Sequence, residues 1–237
     1  MKAGIVYLIP TFLDEEAIDT IPEYIIRAVK ECEVFFVENE RTARRFLKRL
    51  WKEIPIDTLS WFAIHKAENS VRQEFLKSLK AGKIVGILSE AGCPGIADPG
   101  QVLVATAHEA GALVKPLVGP SSLLLALMAS GMNGQLFQFN GYLPVDAEAR
   151  AKKIKEIESL SQKQGSTQLF IETPYRNQAM LDALLKTCRG NTRLCVGVSL
   201  TGPSEFIRTK TIAEWKNTGL SLPKEPAIFL INAAQGV

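Results

Sequence analysis

Read from its amino terminus, the chain alternates short apolar runs with longer segments whose apolar residues recur at helical spacing. Ile5 to Ile9 predicts a strand. Thr20 is placed to cap a helix starting near Pro22, with Ile25, Ala28 and Val29 facing inward. Val34 to Val37 predicts a second strand, and Arg41 to Leu50 a basic helix burying Phe46, Leu47 and Leu50. A third strand is expected over Leu59 to Phe62. Asn69 is placed to cap a helix carrying Val71, Phe75 and Leu79. Ile84 to Leu88 has almost no polar character, as in the middle of a parallel sheet. A helix (Val102 to Ala110), a strand (Ala112 to Lys115), a Pro/Gly turn and an apolar helix (Leu123 to Ala129) follow.

The order strand, helix, strand, helix predicts an α/β domain with a mostly parallel sheet. A seam lies near Ala129 to Gly134. Beyond it, expected strands at Phe137 to Gly141, Thr167 to Glu172, Leu194 to Leu200, Glu205 to Arg208 and Ala227 to Asn232 alternate with three helices, predicting a mixed sheet. The expected division is 1–117 and 118–237, two α/β domains.

Composition narrows the field. Of 237 residues, 46% are hydrophobic and 22% charged, which argues for a folded globular chain rather than a disordered one. No apolar run reaches the length of a membrane span, and the first residues read as a buried strand rather than a signal peptide. A cytoplasmic location is expected. The four cysteines, Cys32, Cys93, Cys188 and Cys195, lack the close spacing of a zinc or redox site. With only His65 and His108 as histidines, no metal site is expected. The net charge of +3 permits nucleic-acid contact without demanding it.

The candidate chemistry lies in two loops. Ser89-Glu90-Ala91-Gly92-Cys93-Pro94-Gly95-Ile96-Ala97-Asp98-Pro99-Gly100 follows one strand, and Gly119-Pro120-Ser121-Ser122 follows another. In an open parallel sheet both sit at the carboxyl edge, where ligands bind. Glycine lets a ligand approach the backbone, and Ile96 and Leu117 are placed to flank a flat ring. A nucleoside suits such loops better than a polyphosphate, because Lys115 is the one lysine near either. The alternative for the second loop is a plain helix start capped by Ser121 or Ser122.

These residues carry a resemblance. Ser89 to Gly100 is similar to the signature Ser-Asp-Ala-Gly-Thr-Pro-x-Ile-Ser-Asp-Pro-Gly of the tetrapyrrole methylase superfamily, in particular its branch called ribosomal RNA small subunit methyltransferase I. Further segments resemble that branch in the same order: Leu8 to Thr11, Glu38 to Thr42, Pro116 to Ser122, Phe139 to Pro144 and Ile171 to Arg176. The resemblance implies a two-domain α/β methyltransferase, usually a homodimer, that holds S-adenosylmethionine between its domains. It implies cofactor contacts at Pro10, Cys93, Ile96, Ser121, Ser122, Glu172, Thr173, Pro174 and Ala227. It implies methylation of a cytidine ribose 2′-oxygen in small-subunit rRNA.

The chain departs from the branch in places. Phe12-Leu13-Asp14-Glu15-Glu16 stands where relatives have Pro-Ile-Gly-Asn-Leu, putting acids where RNA or cofactor would approach. Asn39 and Glu40 replace Asp and Thr, Glu90 replaces Asp, and Val198 to Gly202 replaces Arg-Glu-Leu-Thr-Lys. A ribose hydroxyl needs a proton acceptor, for which Glu38, His65 and Glu90 are the candidates. Arg41, Arg44 and Arg45 form a basic helix face that either meets RNA phosphates or is simply solvated. Two other readings stay open: a small-molecule, tetrapyrrole-type methyltransferase, and a cofactor-binding protein that has lost transfer activity.

Overall fold

A computed structural model describes residues 4–64 and 71–234. The chain divides into two compact units, Met1–Ser121 and Ser122–Val237, so the boundary falls after Ser121 rather than after Leu117.

The first unit contains β1 (Ile5–Leu8), α1 (Ile25–Glu31), β2 (Val34–Val37), α2 (Glu40–Leu50), β3 (Ser60–Ala63), α3 (Arg72–Lys80), β4 (Ile84–Leu88), α4 (Gln101–Glu109) and β5 (Leu113–Pro116). The strands pair in the order β3-β2-β4-β1-β5, all parallel. Helices cover both faces, so the central strands carry apolar residues at every position. Tyr7, Phe35 and Val37 pack with Ile25 and Val29 of α1 and Phe46 and Leu47 of α2. Val6, Val34, Phe36 and Ile87 pack the other way, against Phe75 and Leu79 of α3 and Leu103 and Ala107 of α4. Gly86 keeps β4 and β2 compatible: a Cβ there would stand 2.8 Å from the Phe35 ring.

The second unit contains α5 (Ser122–Ser130), β6 (Phe137–Tyr142), α6 (Ala147–Gln164), β7 (Thr167–Glu172), α7 (Asn177–Thr187), β8 (Arg193–Val198), β9 (Phe206–Thr211), α8 (Ile212–Lys216) and β10 (Ala227–Asn232). Its sheet order is β6-β7-β10-β8-β9, with β6 parallel to β7 and the other pairs antiparallel. Phe170, Val196 and Phe229 pack with Ile154 and Ile157 of α6, Leu181 and Leu184 of α7 and Trp215 of α8. Local signals set the helix ends. Asp146 caps α6 through Ala149 N–H, Gly165 closes it at φ 68°, and Thr211 and Glu214 form a reciprocal capping box on α8.

One expected cap does not form as read. A 3-10 turn spans Ile18–Thr20, and the Thr20 hydroxyl donates back to Ala17 O at 2.7 Å rather than accepting from the first N–H groups of a helix. Short-range bonds such as Ile25 N–H to Pro22 O, 3.1 Å, carry the chain into α1, whose N-cap is Tyr24. Asn69 lies outside the described residues, and α3 begins after Val71 without a side-chain cap.

Candidate active site

Three strand-end loops of the first unit are stitched together. After β1 the chain extends its pairing through Ile9 N–H to Ile87 O, 2.9 Å. Thr11 and Gly92 then form an antiparallel bridge, with N–H···O bonds of 2.9 and 3.2 Å, tying the β1 loop to the β4 loop. The β5 loop joins through the Cys93 thiol, which donates to Pro120 O at 3.5 Å, and through Gly119, packed so closely on Pro10 that a Cβ would lie 2.2 Å from the Pro10 Cβ. Burial pushes the Cys93 thiol up, so it is no reactive thiolate. The expected positions Pro10, Cys93 and Ser121 thus lie on adjoining loops.

The β4 loop needs its glycines. Gly92, Gly95 and Gly100 have φ of 75°, 79° and 132°, and Ala97 holds a left-handed φ of 65° despite its Cβ. This coil leaves Ile96 52% exposed, an apolar side chain standing beside bare backbone. A flat ligand can lie against such a surface.

Carboxylates gather on the same edge. Glu38 follows β2, and its N–H donates to Leu88 O at 3.1 Å. The Glu38 Oε2 accepts the Glu90 N–H at 2.9 Å, and the Thr42 hydroxyl donates to Glu90 Oε1 at 3.3 Å. Asn39 fixes this corner as the N-cap of α2, accepting from Arg41 N–H and Thr42 N–H. The structure adds Asp98, a carboxylate that was not singled out from sequence. Burial, then the charge of Glu38, and to a smaller degree that of Glu90, push it up to about 6, against a lowering hydrogen bond from Ser89. Its place in Asp-Pro-Gly was the available signal, but the perturbation comes from residues distant in sequence. Glu38 and Glu90 are therefore brought together; His65 lies outside the described residues.

Beside these groups a cavity of about 150 Å³ opens among Thr11, Phe12, Glu15, Thr42, Arg45 and Glu90. Glu15 pairs with Arg45, while Asp14 turns back to accept Glu16 N–H at 2.8 Å. Arg44 is held by Glu40 at 2.9 Å and lies over the Trp61 ring. Two of the three arginines expected to meet phosphates thus have carboxylate partners, and Arg41 is exposed at the start of α2.

In the second unit Glu172 and Ala227 lie on paired strands, with Thr173 and Pro174 directly after Glu172. Ala227 of β10 pairs with Glu172 on one side and Val198 on the other. The Glu172 Oε1 accepts Thr173 N–H at 2.7 Å and the Arg176 guanidinium at 2.6 and 2.9 Å. Glu172 Oε2, Ser199 Oγ and Thr201 Oγ1 are buried without protein partners. Ser199 and Thr201 also hold left-handed φ of 48° and 69°. Orphaned polar atoms beside strained backbone are features that a bound polar ligand would relieve; from sequence the two residues stood only in a segment that departs from the branch's pattern, not among the expected site residues. Ser122 opens α5 and Pro174 opens a 3-10 turn.

Among the described residues there is no group of three or more His, Cys, Asp or Glu suited to a metal, and no helix is long and apolar enough to cross a membrane.

A parallel α/β unit with a loop cradle at its carboxyl edge, followed by a mixed-sheet unit, defines a two-unit ligand-binding α/β protein. Comparison with known proteins makes this specific. The family model described as Tetrapyrrole (Corrin/Porphyrin) Methylases matches residues 19–216. The chain is 31% identical to ribosomal RNA small subunit methyltransferase I of Vibrio cholerae, over 90% of this chain and 70% of that protein. It is 33% identical to the Bacillus subtilis protein of the same name, over 90% of this chain and 70% of the relative. Among solved structures it resembles the methyltransferase CobJ, with TM-score 0.65 and 17% identity, covering 99% of this chain and 97% of CobJ. It also resembles uroporphyrin-III C-methyltransferase from Thermus thermophilus complexed with S-adenyl homocysteine, with TM-score 0.57 and 17% identity, covering 97% of each chain. The chain belongs to the tetrapyrrole methylase family of S-adenosylmethionine-dependent methyltransferases.

Proposed function

We propose that this chain transfers a methyl group from S-adenosylmethionine to RNA of the small ribosomal subunit, at the ribose 2′-oxygen of a cytidine. The observation that carries this reading is its likeness to relatives named for small-subunit rRNA, spanning 90% of the chain. The solved tetrapyrrole enzymes are more distant, at 17% identity, and support the fold.

The donor's sulfonium makes its methyl electrophilic and supplies the driving force. This chain's residues must hold donor and acceptor, exclude water and receive a proton. The glycine coil around Cys93 and Ile96, with Pro10 and Ser121 on adjoining loops, is the cofactor-facing surface we assign in the first unit. Ser122, Glu172, Thr173, Pro174 and Ala227 are the positions we assign in the second. Asp98 receives the hydroxyl proton: a carboxylate pushed up to about 6 is ionised at neutral pH and still basic enough to draw that proton. Glu38 holds the loop in place through Glu90 N–H. Arg41, Arg44 and Arg45 face the RNA backbone. The same reading places the protein in the cytoplasm, as a homodimer.

Calorimetry with S-adenosylmethionine and transfer of labelled methyl to small ribosomal subunits test this. Binding with incorporation into RNA supports it. Binding with label entering a tetrapyrrole and not RNA would favour the small-molecule reading.

A further inference from the structure

We infer that the cavity between the β1 loop, α2 and the β4 loop receives a single pyrimidine base, and that Glu90 reads its exocyclic amine. The inference deepens the reading above, resting on it for RNA as the ligand.

Size argues first. The cavity holds about 150 Å³. An engineered cavity of roughly that volume takes up benzene, so one six-membered ring fits and a fused purine is crowded. The walls argue next. Phe12 and Phe46 form a buried apolar floor, their rings edge to face at 5.3 Å, and Arg49 lies over the outer face of Phe12. Proteins read single-stranded RNA by placing splayed bases against aromatic rings and bonding their edges.

Charge then selects the base. Glu90 is tied at its backbone by its N–H on Glu38 Oε2 at 2.9 Å, and its Oε1 lies 3.3 Å from the Thr42 hydroxyl, whose one proton is shared with Asn39 O at 3.1 Å. A carboxylate only accepts, so it favours a ring whose edge carries an amine. Cytosine presents that amine; uracil presents a carbonyl there and is repelled.

The test reads binding, not transfer. Isotope-labelled protein is titrated with a five-nucleotide oligouridine carrying one central cytidine, and with the all-uridine oligomer. The expected result is binding about tenfold or more tighter with the cytidine, with amide shifts at Thr11, Thr42, Ala43 and Ala91. Glu90→Gln should erase the preference, because an amide can offer either a donor or an acceptor. Glu90 is exposed, so the variant should fold, and an unchanged melting temperature checks this. Equal binding of the two oligomers, no binding of either, shifts confined to other residues, or a preference that survives Glu90→Gln overturns the inference. Absence of methyl transfer to rRNA would instead overturn the proposed function, whatever this titration shows.

Discussion

The backbone N–H of Glu90 donates to the Glu38 carboxylate at 2.9 Å, joining the ends of two neighbouring strands, β4 and β2. Glu38 thereby serves as a brace for the loop that follows β4. From sequence it was expected to act as a proton acceptor. In the proposed function the acceptor is Asp98, whose surroundings differ from those of an ordinary surface carboxylate.

Asp98 should govern the pH dependence of the reaction. The transfer rate is expected to rise with pH through about 6 and level off above it. Asp98→Asn should lower kcat by about 10²- to 10⁴-fold and remove that rise. Stability should move oppositely. The folded pKa lies above the ordinary carboxylate value of 3.8, so the folded state holds its proton longer than the unfolded chain does. The contribution of Asp98 to stability is therefore fully present below 3.8 and is lost as pH rises through about 6. Asp98→Asn should stabilise the protein at pH 7 and leave it unchanged at pH 3, measured by urea unfolding at each pH.

Gly119→Ala should damage the junction between the β1 and β5 loops. The new Cβ would meet Pro10 Cβ at 2.2 Å and Cγ at 2.3 Å, and a proline ring has little freedom to yield. The expected cost is about 1–3 kcal/mol of stability, with weaker S-adenosylmethionine binding. Unfolding curves and calorimetry read the two effects separately.

How much of this was legible in the sequence depends on how local each cause is. The strands β2 and β4 could be read directly, because a run apolar at every position is what two covered faces require. The β4 loop was legible from Gly92, Gly95 and Gly100, whose backbone conformations other residues adopt at a cost. The start of α1 was misplaced because Thr20 looked like a cap, while the turn through Pro22 delays the helix to Ile25. Asp98 could not be recognised as perturbed, since its neighbours Glu38 and Glu90 arrive through strand pairing. The acids Asp14 and Glu15 looked hostile to RNA; the fold occupies them with Glu16 N–H and Arg45.

That pairing gives a third prediction. Arg45→Ala should weaken binding to rRNA fragments about equally across sequences and reduce the slope of log affinity against log salt by about 1. Glu15→Gln should do the reverse and strengthen binding, because it frees the Arg45 guanidinium. Filter binding across a salt series measures both.

Glu172→Ala should be costly for a different reason. The side chain is fully buried, and its Oε1 receives Thr173 N–H and two nitrogens of Arg176. Removing it strands those donors, at about 3 kcal/mol. Denaturant unfolding should show the midpoint falling without a change in slope.

The central claim is methylation of a ribose in small-subunit rRNA, and its most direct test is to map the modification. Small ribosomal subunits lacking ribose methylation are incubated with the protein and S-adenosylmethionine, and the rRNA is hydrolysed in alkali. A 2′-O-methyl group blocks cleavage at its own nucleotide. The account predicts one new alkali-resistant position, at a cytidine, absent when Asp98→Asn replaces the wild type. Label on a base carbon or nitrogen, or no label on RNA from a protein that binds S-adenosylmethionine, would contradict it.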